Sequence, residues 1–269
     1  DLGCRERSAP SSSGTRIVSL APAVTETIFA LGAGKLLVGV SDYCDFPSEA
    51  RRLPHLGTSL TPNYEAIARA APTLIVSEAN GGARRTELEA LAPTLLLPWL
   101  TLSEVCASIV TLGKHVGQPA AGEALAAKMQ SRLGVPEPKT GPRVLLVLGY
   151  EPGKLDDIWF IRQDSLHGAA LNAAGGRNAV GAAVAGAPRL SQERVLELDP
   201  DMIFILLRPG EESRAPAYVA DWQRLSGLGA VKHERVRAIA AAEAFADGPR
   251  ILNLVDRLAH EIHELEALR

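Results

Sequence analysis

The stretch Arg16-Ile-Val-Ser-Leu20, which ends at Ala21-Pro22, is a short β-branched run typical of a strand. Apolar residues then recur at helical spacing over residues 25–31, and Gly32 is a natural end for that helix. Further strand-sized runs lie at residues 36–40, 73–76 and 95–97, with helical patterns at 65–71 and 87–91. Alternating strands and helices with short connections predict a mainly parallel sheet covered by helices.

A helical segment separates this series from a second one. Residues 103–133 have a helical pattern that breaks at 117–119, and residues 120–133 are rich in good helix formers. Prolines and glycines between 136 and 142 mark a boundary, and strands at 143–148, 202–207 and 236–239 precede a final amphipathic helix. The predicted fold is α/β, with two Rossmann-like lobes whose central sheets are mainly parallel and which a long helix joins. We expect a flexible leader at 1–14, an N-terminal lobe at 15–113, a connecting helix and linker at 114–141, and a C-terminal lobe at 142–269.

An internal repeat supports two related lobes. Two segments share a glutamate, a branched apolar residue, a proline and a strand start at identical offsets: Glu65, Ile67, Pro72 and residue 74, then Glu193, Val195, Pro200 and residue 202. Each glutamate follows a good helix N-cap, Asn63 or Ser191, where the helix dipole favours an exposed carboxylate. A second echo pairs Leu-Gly-Ala-x-Lys at 31–35 with the same pattern at 228–232. Coincidence of common βα patterns is the alternative, but two echoes in order favour duplication.

The charge and hydropathy patterns argue against two classes of protein. The chain has 28 Lys and Arg residues against 31 Asp and Glu residues, a net charge of −3, whereas a nucleic-acid binder normally shows a basic face. The longest apolar runs have the length of strands and fall short of the roughly 18 residues that a membrane helix needs. We therefore predict neither a nucleic-acid partner nor a membrane-spanning helix.

The first residues, Asp1-Leu-Gly-Cys4, resemble the end of a bacterial lipobox, in which the cysteine is acylated and a flexible linker follows. Asp1 stands where a lipobox prefers leucine, so a disordered leader with an incidental cysteine is an equal alternative. Three cysteines are too few for a disulfide framework. If Cys4 carries a lipid anchor, Cys44 and Cys106 could pair or stay buried as small hydrophobic residues, and the second is favoured.

Signatures of catalysis are missing from the sequence. Gly32-Ala-Gly34-Lys35 lacks the spacing and the hydroxyl residue of a phosphate loop, and no Gly-x-Ser-x-Gly elbow occurs. His260 and His263 lie three residues apart, not the four of the zinc-protease motif, and an exposed helix face explains them better. We predict no metal site, no catalytic residues and no enzymatic activity.

Residues 16–34, Arg-Ile-Val-Ser-Leu-Ala-Pro-Ala-Val-Thr-Glu-Thr-Ile-Phe-Ala-Leu-Gly-Ala-Gly, resemble the opening of the helical-backbone (class III) binding proteins that serve ABC importers of cobalamin, haem and iron siderophores. Residues 38–47, Val-Gly-Val-Ser-Asp-Tyr-Cys-Asp-Phe-Pro, look most like the cobalamin branch. The resemblance covers about residues 15–265. It implies two lobes linked by a helix at about 120–133, a ligand held between the lobes, and no cofactor. A monomer in the periplasm or at the extracytoplasmic face of the membrane is expected.

The resemblance also implies a docking surface. Glu65 and Glu193 match paired glutamates, one in each lobe, that meet arginines on the membrane subunits of the ABC transporter. Exposed carboxylates in related positions would steer and orient a two-fold basic partner. Ordinary acidic residues at helix N-termini are the alternative, but that explanation accounts less well for the matching offsets.

Ligand contacts follow from the same resemblance. Pro22 and Ala23 match a first loop whose backbone faces the ligand, and Tyr43 matches an aromatic position that contacts the corrin. Trp159 aligns roughly with an aromatic residue of the C-terminal lobe that covers the ligand. A flat macrocycle favours such faces, because aromatic stacking adds to the burial of area. Either aromatic residue could instead belong to the core.

Other positions depart from the cobalamin pattern. Ser59 stands near the place of a tryptophan in the best-known member and of an iron-ligating tyrosine in the haem branch, which disfavours simple haem ligation. Asn80 and Gly81 belong to a polar loop suited to amide hydrogen bonds, and Arg250 either faces the cleft or begins the last helix. The expected ligand is a corrinoid, either cobalamin or cobinamide. An iron siderophore or haem is the alternative for the same fold, and an α/β enzyme that uses the cleft between the lobes is a further one.

Overall fold

The computed structural model describes residues 14–79, 85–181 and 188–267. Contacts divide the described residues into two compact units. The first comprises those up to Leu97 together with His115–Gln118, and the second comprises Pro98–Lys114 and those from Pro119 onward. In the part of the chain that is described, no helix is both long and apolar enough to cross a membrane.

The first unit is a four-stranded parallel sheet with helices in its connections. Its elements are β1 (Ile17–Ser19), α1 (Pro22–Ala30), β2 (Leu37–Val40), α2 (Tyr64–Ala70), β3 (Leu74–Glu78), α3 (Arg85–Glu89) and β4 (Thr94–Leu97). The strand order is β2-β1-β3-β4, and every pair is parallel. Val18, Ile67 and Ile75 are fully buried in its core. Since all four strands run in one direction, the loops after β1, β2 and β3 share one edge of the sheet.

The second unit begins with two helices and contains a larger sheet. Its elements are α4 (Leu102–His115), α5 (Pro119–Leu133), β5 (Arg143–Gly149), β6 (Ile158–Phe160), α6 (Leu166–Ala173), β7 (Arg177–Asn178), β8 (Arg189–Leu190), α7 (Gln192–Leu198), β9 (Met202–Leu207), α8 (Ala215–Gln223), α9 (Gly229–Lys232), β10 (Val236–Ala240) and α10 (Ile251–Ala267). The order is β10-β9-β5-β6-β8, and β7 also pairs with β5. All six residues of β9 are buried, as expected of a parallel strand covered on both faces.

The predicted α/β class with mainly parallel sheets is confirmed, but one strand of the second sheet, β6, runs opposite to all the others. β6 pairs antiparallel with β5, and β8 pairs antiparallel with β6. The segment 150–157 between β5 and β6 is too short for the crossover that a parallel neighbour needs, which takes about a dozen residues. Neither β6 nor β8 was predicted from the sequence, because runs of two or three residues are too short to show an alternating pattern.

The repeat of helix and strand is present in both units. α2 and α7 each have seven residues, and the side chains of Asn63 and Ser191 cap them by accepting a backbone N–H three residues on. Both helices end at a residue in the left-handed region, Ala71 with φ 45° and Asp199 with φ 39°. β1, β3 and β4 lie in the same order as β5, β9 and β10. These matches support the predicted duplication.

The second echo is wrong as evidence for duplication. Residues 31–35 precede β2, which pairs with β1, whereas residues 228–232 precede β10, which pairs with β9. β10 therefore corresponds to β4, and the counterpart of β2 is β7, which pairs parallel with β5. A glycine with positive φ precedes each of these two strands, Gly32 at 72° and Gly175 at 89°. The shared letters at 31–35 and 228–232 reflect ordinary helix-to-strand connections.

The helical middle of the chain groups with the second unit. α5 contacts α6 and α10, and Gly122 approaches Gly113 of α4 so closely that a Cβ there would lie 3.1 Å from the Gly113 Cα. Pro98–Lys114 also belongs to this unit by its contacts, although residues 98–113 were predicted to lie in the first lobe. The division into lobes at 15–113 and 142–269 with a connector at 114–141 stays a prediction.

Candidate functional site

The loop after β1 leads directly into α1 at the carboxyl edge of the first sheet. Pro22 is the first residue of α1 and is exposed, whereas Ala23 is buried. The N-cap residue, Ala21, makes no side-chain hydrogen bond. Pro22 lacks an N–H, which suits the first position of a helix. The two predicted ligand-loop residues therefore present mainly backbone at this edge.

A buried polar cluster holds the loop that follows β2. The Thr25 hydroxyl donates to the Ser19 Oγ at 2.8 Å and lies 3.1 Å from the Cys44 Sγ, which donates to the Ser41 Oγ at 3.4 Å. Burial raises the pKa of the Cys44 thiol, so the thiol stays protonated and available as a donor. Tyr43 lies beside this cluster and is 71% exposed. The loop is thus anchored while the Tyr43 ring faces solvent, which rules out the alternative that it belongs to the core.

A second loop is hydrogen-bonded to the Tyr43 loop. Asp42 donates its backbone N–H to the Gly57 carbonyl at 2.9 Å, and Gly57 donates its own N–H to the Asp42 carboxylate at 3.1 Å. Ser59 follows in this loop and is half-buried, and the next residue, Leu60, is 72% exposed. The first unit therefore presents two large exposed side chains, Tyr43 and Leu60, on loops that are tied together. Leu60 was not predicted from the sequence.

The second unit contains a pocket of about 510 Å³ at the carboxyl ends of its parallel strands. Its walls come from the end of β5, the loop that follows it, the end of β9 and the turn after β10. The lining residues are Leu148, Gly149, Tyr150, Glu151, Lys154, Asp156, Asp157, Trp159, Arg208 and Phe245. In open parallel sheets, this edge is where ligands usually bind.

Trp159 and Phe245 give this pocket two aromatic walls. Trp159 is 37% exposed, and the Arg189 guanidinium lies 4.3 Å from its ring centroid. The Arg208 guanidinium lies 4.5 Å from the Phe245 ring. Trp159 therefore does not belong to the core, which had been the alternative reading of its sequence.

A buried aromatic cluster supports the pocket from behind. The Tyr150 hydroxyl donates to the Tyr218 carbonyl at 3.1 Å, and its ring meets those of Tyr218 and Trp222 edge to face. Burial, together with the nearby charge of Asp221, raises the pKa of Tyr150 well above its usual value. Asp221 also accepts the Gly153 N–H at 2.8 Å, which fixes the loop after β5. The wall of the pocket is thus rigidly supported.

The two predicted docking glutamates lie at equivalent positions of their helices. Glu65 is the second residue of α2 and pairs with Arg69 at 2.8 Å, with 81% of its side chain exposed. Glu193 is the second residue of α7 and is exposed. Hydrogen bonds from its own backbone N–H and from Ser191 lower the pKa of the Glu193 carboxyl. Both side chains therefore present carboxylates to solvent.

The remaining predicted residues are placed as follows. Arg250 precedes α10, where its carbonyl accepts the Asn253 N–H at 2.8 Å. Arg250 therefore lies directly before the last helix, and its contact with a ligand stays a prediction. Asn80, Gly81 and Cys4 lie outside the described residues. Cys44 and Cys106 are free thiols, as was favoured over pairing; Cys44 is buried as predicted, whereas Cys106 is only half-buried.

Metal-ligating side chains are not gathered anywhere in the described ranges. No group of three or more His, Cys, Asp or Glu side chains there could hold a metal ion. His260 lies 3.4 Å from Glu264 on an exposed face of α10. This supports the interpretation of that histidine-rich run as a solvated helix face.

Residues 17–242 match the periplasmic binding protein family. The chain belongs to this family. This periplasmic binding protein is 27% identical over 266 residues to the vitamin B12-binding protein of Pectobacterium atrosepticum, covering 93% of this chain and 89% of the relative. It is 26% identical over 261 residues to the uncharacterised ABC transporter substrate-binding lipoprotein YvrC of Bacillus subtilis, covering 92% and 80%.

Solved structures share the fold over nearly the whole of this periplasmic binding protein. The vitamin B12-binding protein BtuF of Vibrio cholerae superposes with a TM-score of 0.72 at 27% identity, covering 93% of this chain and 97% of that one. The haem-binding protein RhuT of Roseiflexus sp. RS-1, in its apo form, gives a TM-score of 0.74 at 26% identity, covering 94% and 99%. The predicted resemblance to class III binding proteins, close to the cobalamin branch, is confirmed. The names of these similar proteins describe binding proteins for vitamin B12, for haem or for the substrate of an ABC transporter.

Sequence reasoning missed part of the pocket of this periplasmic binding protein. Arg208 follows the apolar run of β9 directly, so its place at the carboxyl edge of the sheet could have been predicted. Phe245 had no such signal, because a 3₁₀ turn at Ala242–Phe245 brings it to the pocket. Arg189 was also missed, since its role depends on the pairing of β8 with β6.

Proposed function

We propose that this periplasmic binding protein captures a corrinoid, cobalamin or cobinamide, outside the cytoplasm and delivers it to an ABC importer. The observation that carries this proposal is the pocket at the strand ends of the second unit, with the partly exposed Trp159 and with Phe245 in its walls. A flat macrocycle gains from aromatic faces in addition to the area it buries. Tyr43 is exposed on an anchored loop of the first unit, which supports keeping it as a predicted ligand residue.

The charge of the pocket supports a corrinoid over haem. The lining includes three carboxylates, Glu151, Asp156 and Asp157, and two cations, Lys154 and Arg208. Haem carries two anionic propionates, which an excess of carboxylates repels. The periphery of a corrinoid consists mainly of neutral amides, which can donate hydrogen bonds to carboxylates. Ser59 itself provides no strong iron ligand.

A haem or iron-siderophore ligand is the second candidate, and one observation favours it. Arg208 has no carboxylate partner among the described ion pairs, whereas Lys154 is bound by Glu151 at 2.9 Å. A cation at the mouth of a pocket can bind the acidic group of an anionic chelate. The haem-binding neighbour of similar fold is consistent with this alternative.

Delivery to an importer would use Glu65 and Glu193. Their equivalent positions at the second residues of α2 and α7 support recognition by arginines of the membrane subunits. We further propose that the protein acts as a monomer in the periplasm or at the extracytoplasmic face of the membrane. A lipid anchor at Cys4 would hold it there, and the lipoprotein relative supports this anchor.

A binding panel tests the proposed ligand. Purified protein is titrated with cyanocobalamin, dicyanocobinamide, haemin and a ferric siderophore, with visible absorbance and calorimetry as readouts. The expected result is a saturable response to a corrinoid with one molecule bound per chain, and Trp159→Ala weakens it. Phe46→Ala is the matched control, since Phe46 is an aromatic residue 41% exposed that does not line the pocket. Binding of haemin or a ferric siderophore without any response to a corrinoid would select the second candidate.

A further inference from the structure

Three residues on adjacent strands of the second sheet form a row across the pocket wall. Trp159 pairs with Gly149 of β5 on one side and with Arg189 of β8 on the other. Ile158 and Phe160, the neighbours of Trp159, are buried, so Trp159 points to the opposite, open face. In an antiparallel pair, opposite residues place their side chains on the same face. Trp159 and Arg189 therefore share one face of the sheet, and Gly149, which follows a register irregularity in β5 after Val147, lines the pocket beside Trp159.

The two sides of the Trp159 ring have different surroundings. Gly149 lines the pocket, and a Cβ added there would meet no atom within 4 Å. On the other side, the Arg189 guanidinium lies 4.3 Å from the ring centroid. Trp159 is one of the residues that line the pocket, and so is Asp157, whereas Arg189 is not. The Gly149 side of the ring thus opens to the pocket, while Arg189 stacks behind it.

Asp157 holds Arg189 in this position. The Asp157 carboxylate pairs with the Arg189 guanidinium at 3.0 Å. Asp157 directly precedes β6, two residues before Trp159, and its carboxylate reaches the side chain of Arg189 on the neighbouring strand. Its backbone is in the left-handed region, with φ of 55°, a conformation uncommon for a residue other than glycine. The carboxylate therefore holds Arg189 from the residue that leads into β6.

We propose that Arg189, held by Asp157, is a positioning residue that stacks behind Trp159 and keeps its ring turned toward the space above Gly149, where a flat ligand stacks. This inference rests on the proposed function for the ligand, but the orientation of the ring does not depend on it. A partly exposed tryptophan without such support loses side-chain entropy when a ligand binds. A ring that is already fixed in the free protein avoids this entropic cost of binding. Arginine suits this role because its planar guanidinium both stacks on an aromatic face and pairs with a carboxylate.

The first test needs no ligand. Trp99 and Trp222 are buried, so acrylamide quenching of fluorescence reports mainly on Trp159. Arg189→Gln is expected to raise the quenching constant and to weaken the near-ultraviolet circular dichroism, whereas Arg189→Lys has an intermediate effect. Arg194→Gln is the control, because Arg194 belongs to an exposed ion pair with Glu197 in the same unit. Quenching of Arg189→Gln equal to that of the control would overturn the proposal.

The second test separates positioning from direct contact. With dicyanocobinamide as the probe, Arg189→Gln is expected to weaken binding about two- to ten-fold. The double variant Trp159→Ala/Arg189→Gln should bind no more weakly than Trp159→Ala alone, because Arg189 acts through the ring. Additive losses would show that Arg189 contacts the ligand itself and would overturn the positioning role.

A third variant tests the open side of the ring. Gly149→Val places a branched side chain in the space above residue 149, which the ligand is proposed to occupy. An added Cβ there meets no protein atom within 4 Å, so the protein itself accommodates the change. Loss of binding with unchanged thermal stability is expected, whereas unchanged binding contradicts the proposed stacking face. If the wild-type protein binds no corrinoid, the proposed function fails, and the quenching experiment still decides the role of Arg189.

Discussion

Arg143 occupies in the second unit the position that Arg16 occupies in the first. Arg16 donates its backbone N–H to the Thr73 hydroxyl at 2.9 Å, and Arg143 donates its own to the Asp201 carboxylate at 2.7 Å. In return, the backbone N–H of Thr73 donates to the Arg16 carbonyl at 2.8 Å, and that of Asp201 donates to the Arg143 carbonyl at 2.8 Å. Each arginine therefore joins the start of the first strand of a unit to the start of the strand after the glutamate-bearing helix. This shared geometry supports duplication more strongly than the second sequence echo does.

The side chains of these arginines cap helix C-termini, so removing them should destabilise the protein. The Arg16 guanidinium donates to the Ala70 carbonyl at 2.7 Å, and that of Arg143 donates to the Asp199 carbonyl at 3.3 Å. Arg16→Met is expected to lower the free energy of unfolding by about 1–2 kcal/mol, and Arg143→Met by less. Urea unfolding measures both. Arg69→Met is the control, because it removes only an exposed ion pair, and it should cost under about 0.5 kcal/mol. If Arg16→Met lowers the free energy of unfolding no more than Arg69→Met does, the capping role is contradicted.

Gly57→Ala should destabilise the first unit. Gly57 has φ of 86°, and an added Cβ would lie 2.5 Å from the Thr61 carbonyl oxygen. We expect a loss of about 2 kcal/mol or more in thermal unfolding. Gly32→Ala is the matched control, because its φ is 72° but no atom lies within 4 Å of the added Cβ, and about 1 kcal/mol is expected. Equal losses at the two sites would show that the backbone contact at Gly57 relaxes freely.

Arg208→Gln should distinguish neutral from anionic ligands. Arg208 lines the pocket and stacks on Phe245, so it can reach an anionic group there. We expect the affinity for haemin to fall about ten-fold and the affinity for dicyanocobinamide to change by less than about three-fold. Absorbance titration measures both. Lys154→Gln removes a cation that is already paired with Glu151 and serves as the control; equal effects of the two variants on haemin would refute a special role for Arg208.

Charge reversal of the docking glutamates should abolish transport and leave capture intact. Glu65→Lys/Glu193→Lys places cations where the importer is expected to present arginines, and like charges at an interface are strongly unfavourable. Ligand affinity in solution is expected to stay unchanged, because neither residue lines the pocket. Uptake by cells or by reconstituted transporter provides the readout. Glu197→Lys, a reversal on the same helix as Glu193, is the control, and transport that survives the double reversal contradicts the docking role.

Glu193 should titrate at lower pH than an ordinary glutamate. Its pKa is lowered because its backbone N–H and the Ser191 side chain bond to the carboxylate. A lowered pKa in the folded state means that any stabilisation by this charge is present above the usual glutamate pKa and is lost as the pH falls through the lowered value. Carboxyl NMR titration measures the midpoint. Ser191→Ala is expected to raise it, and an unchanged midpoint would exclude the side-chain contribution of Ser191.

Local patterns were sufficient to predict most elements. The apolar run 202–207 matches β9 at both ends, and the break predicted at 117–119 lies between α4 and α5. Glu65 and Glu193 were also found from the sequence, because an N-cap, a helix turn and a proline recur at fixed offsets. These features depend on residues within one helix or one turn, so the chain specifies them locally.

The pocket depended on information that no local pattern contains. Trp159 could be singled out by the family resemblance, but its exposure could not be predicted, since a core position was equally compatible with its sequence. Phe245 and Arg189 had no signal, because a 3₁₀ turn and a two-residue strand bring them into place. The second sequence echo failed for a related reason: similar helix-to-strand connections lead into strands with different neighbours.

Two α/β units, their helix caps and the paired glutamates thus follow from the order of residues along the chain, because propensity, periodicity and capping act over a few residues. The tertiary structure decided which strands became neighbours. The row of Gly149, Trp159 and Arg189 exists only because β6 pairs antiparallel with both β5 and β8. Burial of Ile158 and Phe160 sets that register, since a slip of one residue would turn Trp159 into the core and the apolar side chains toward solvent.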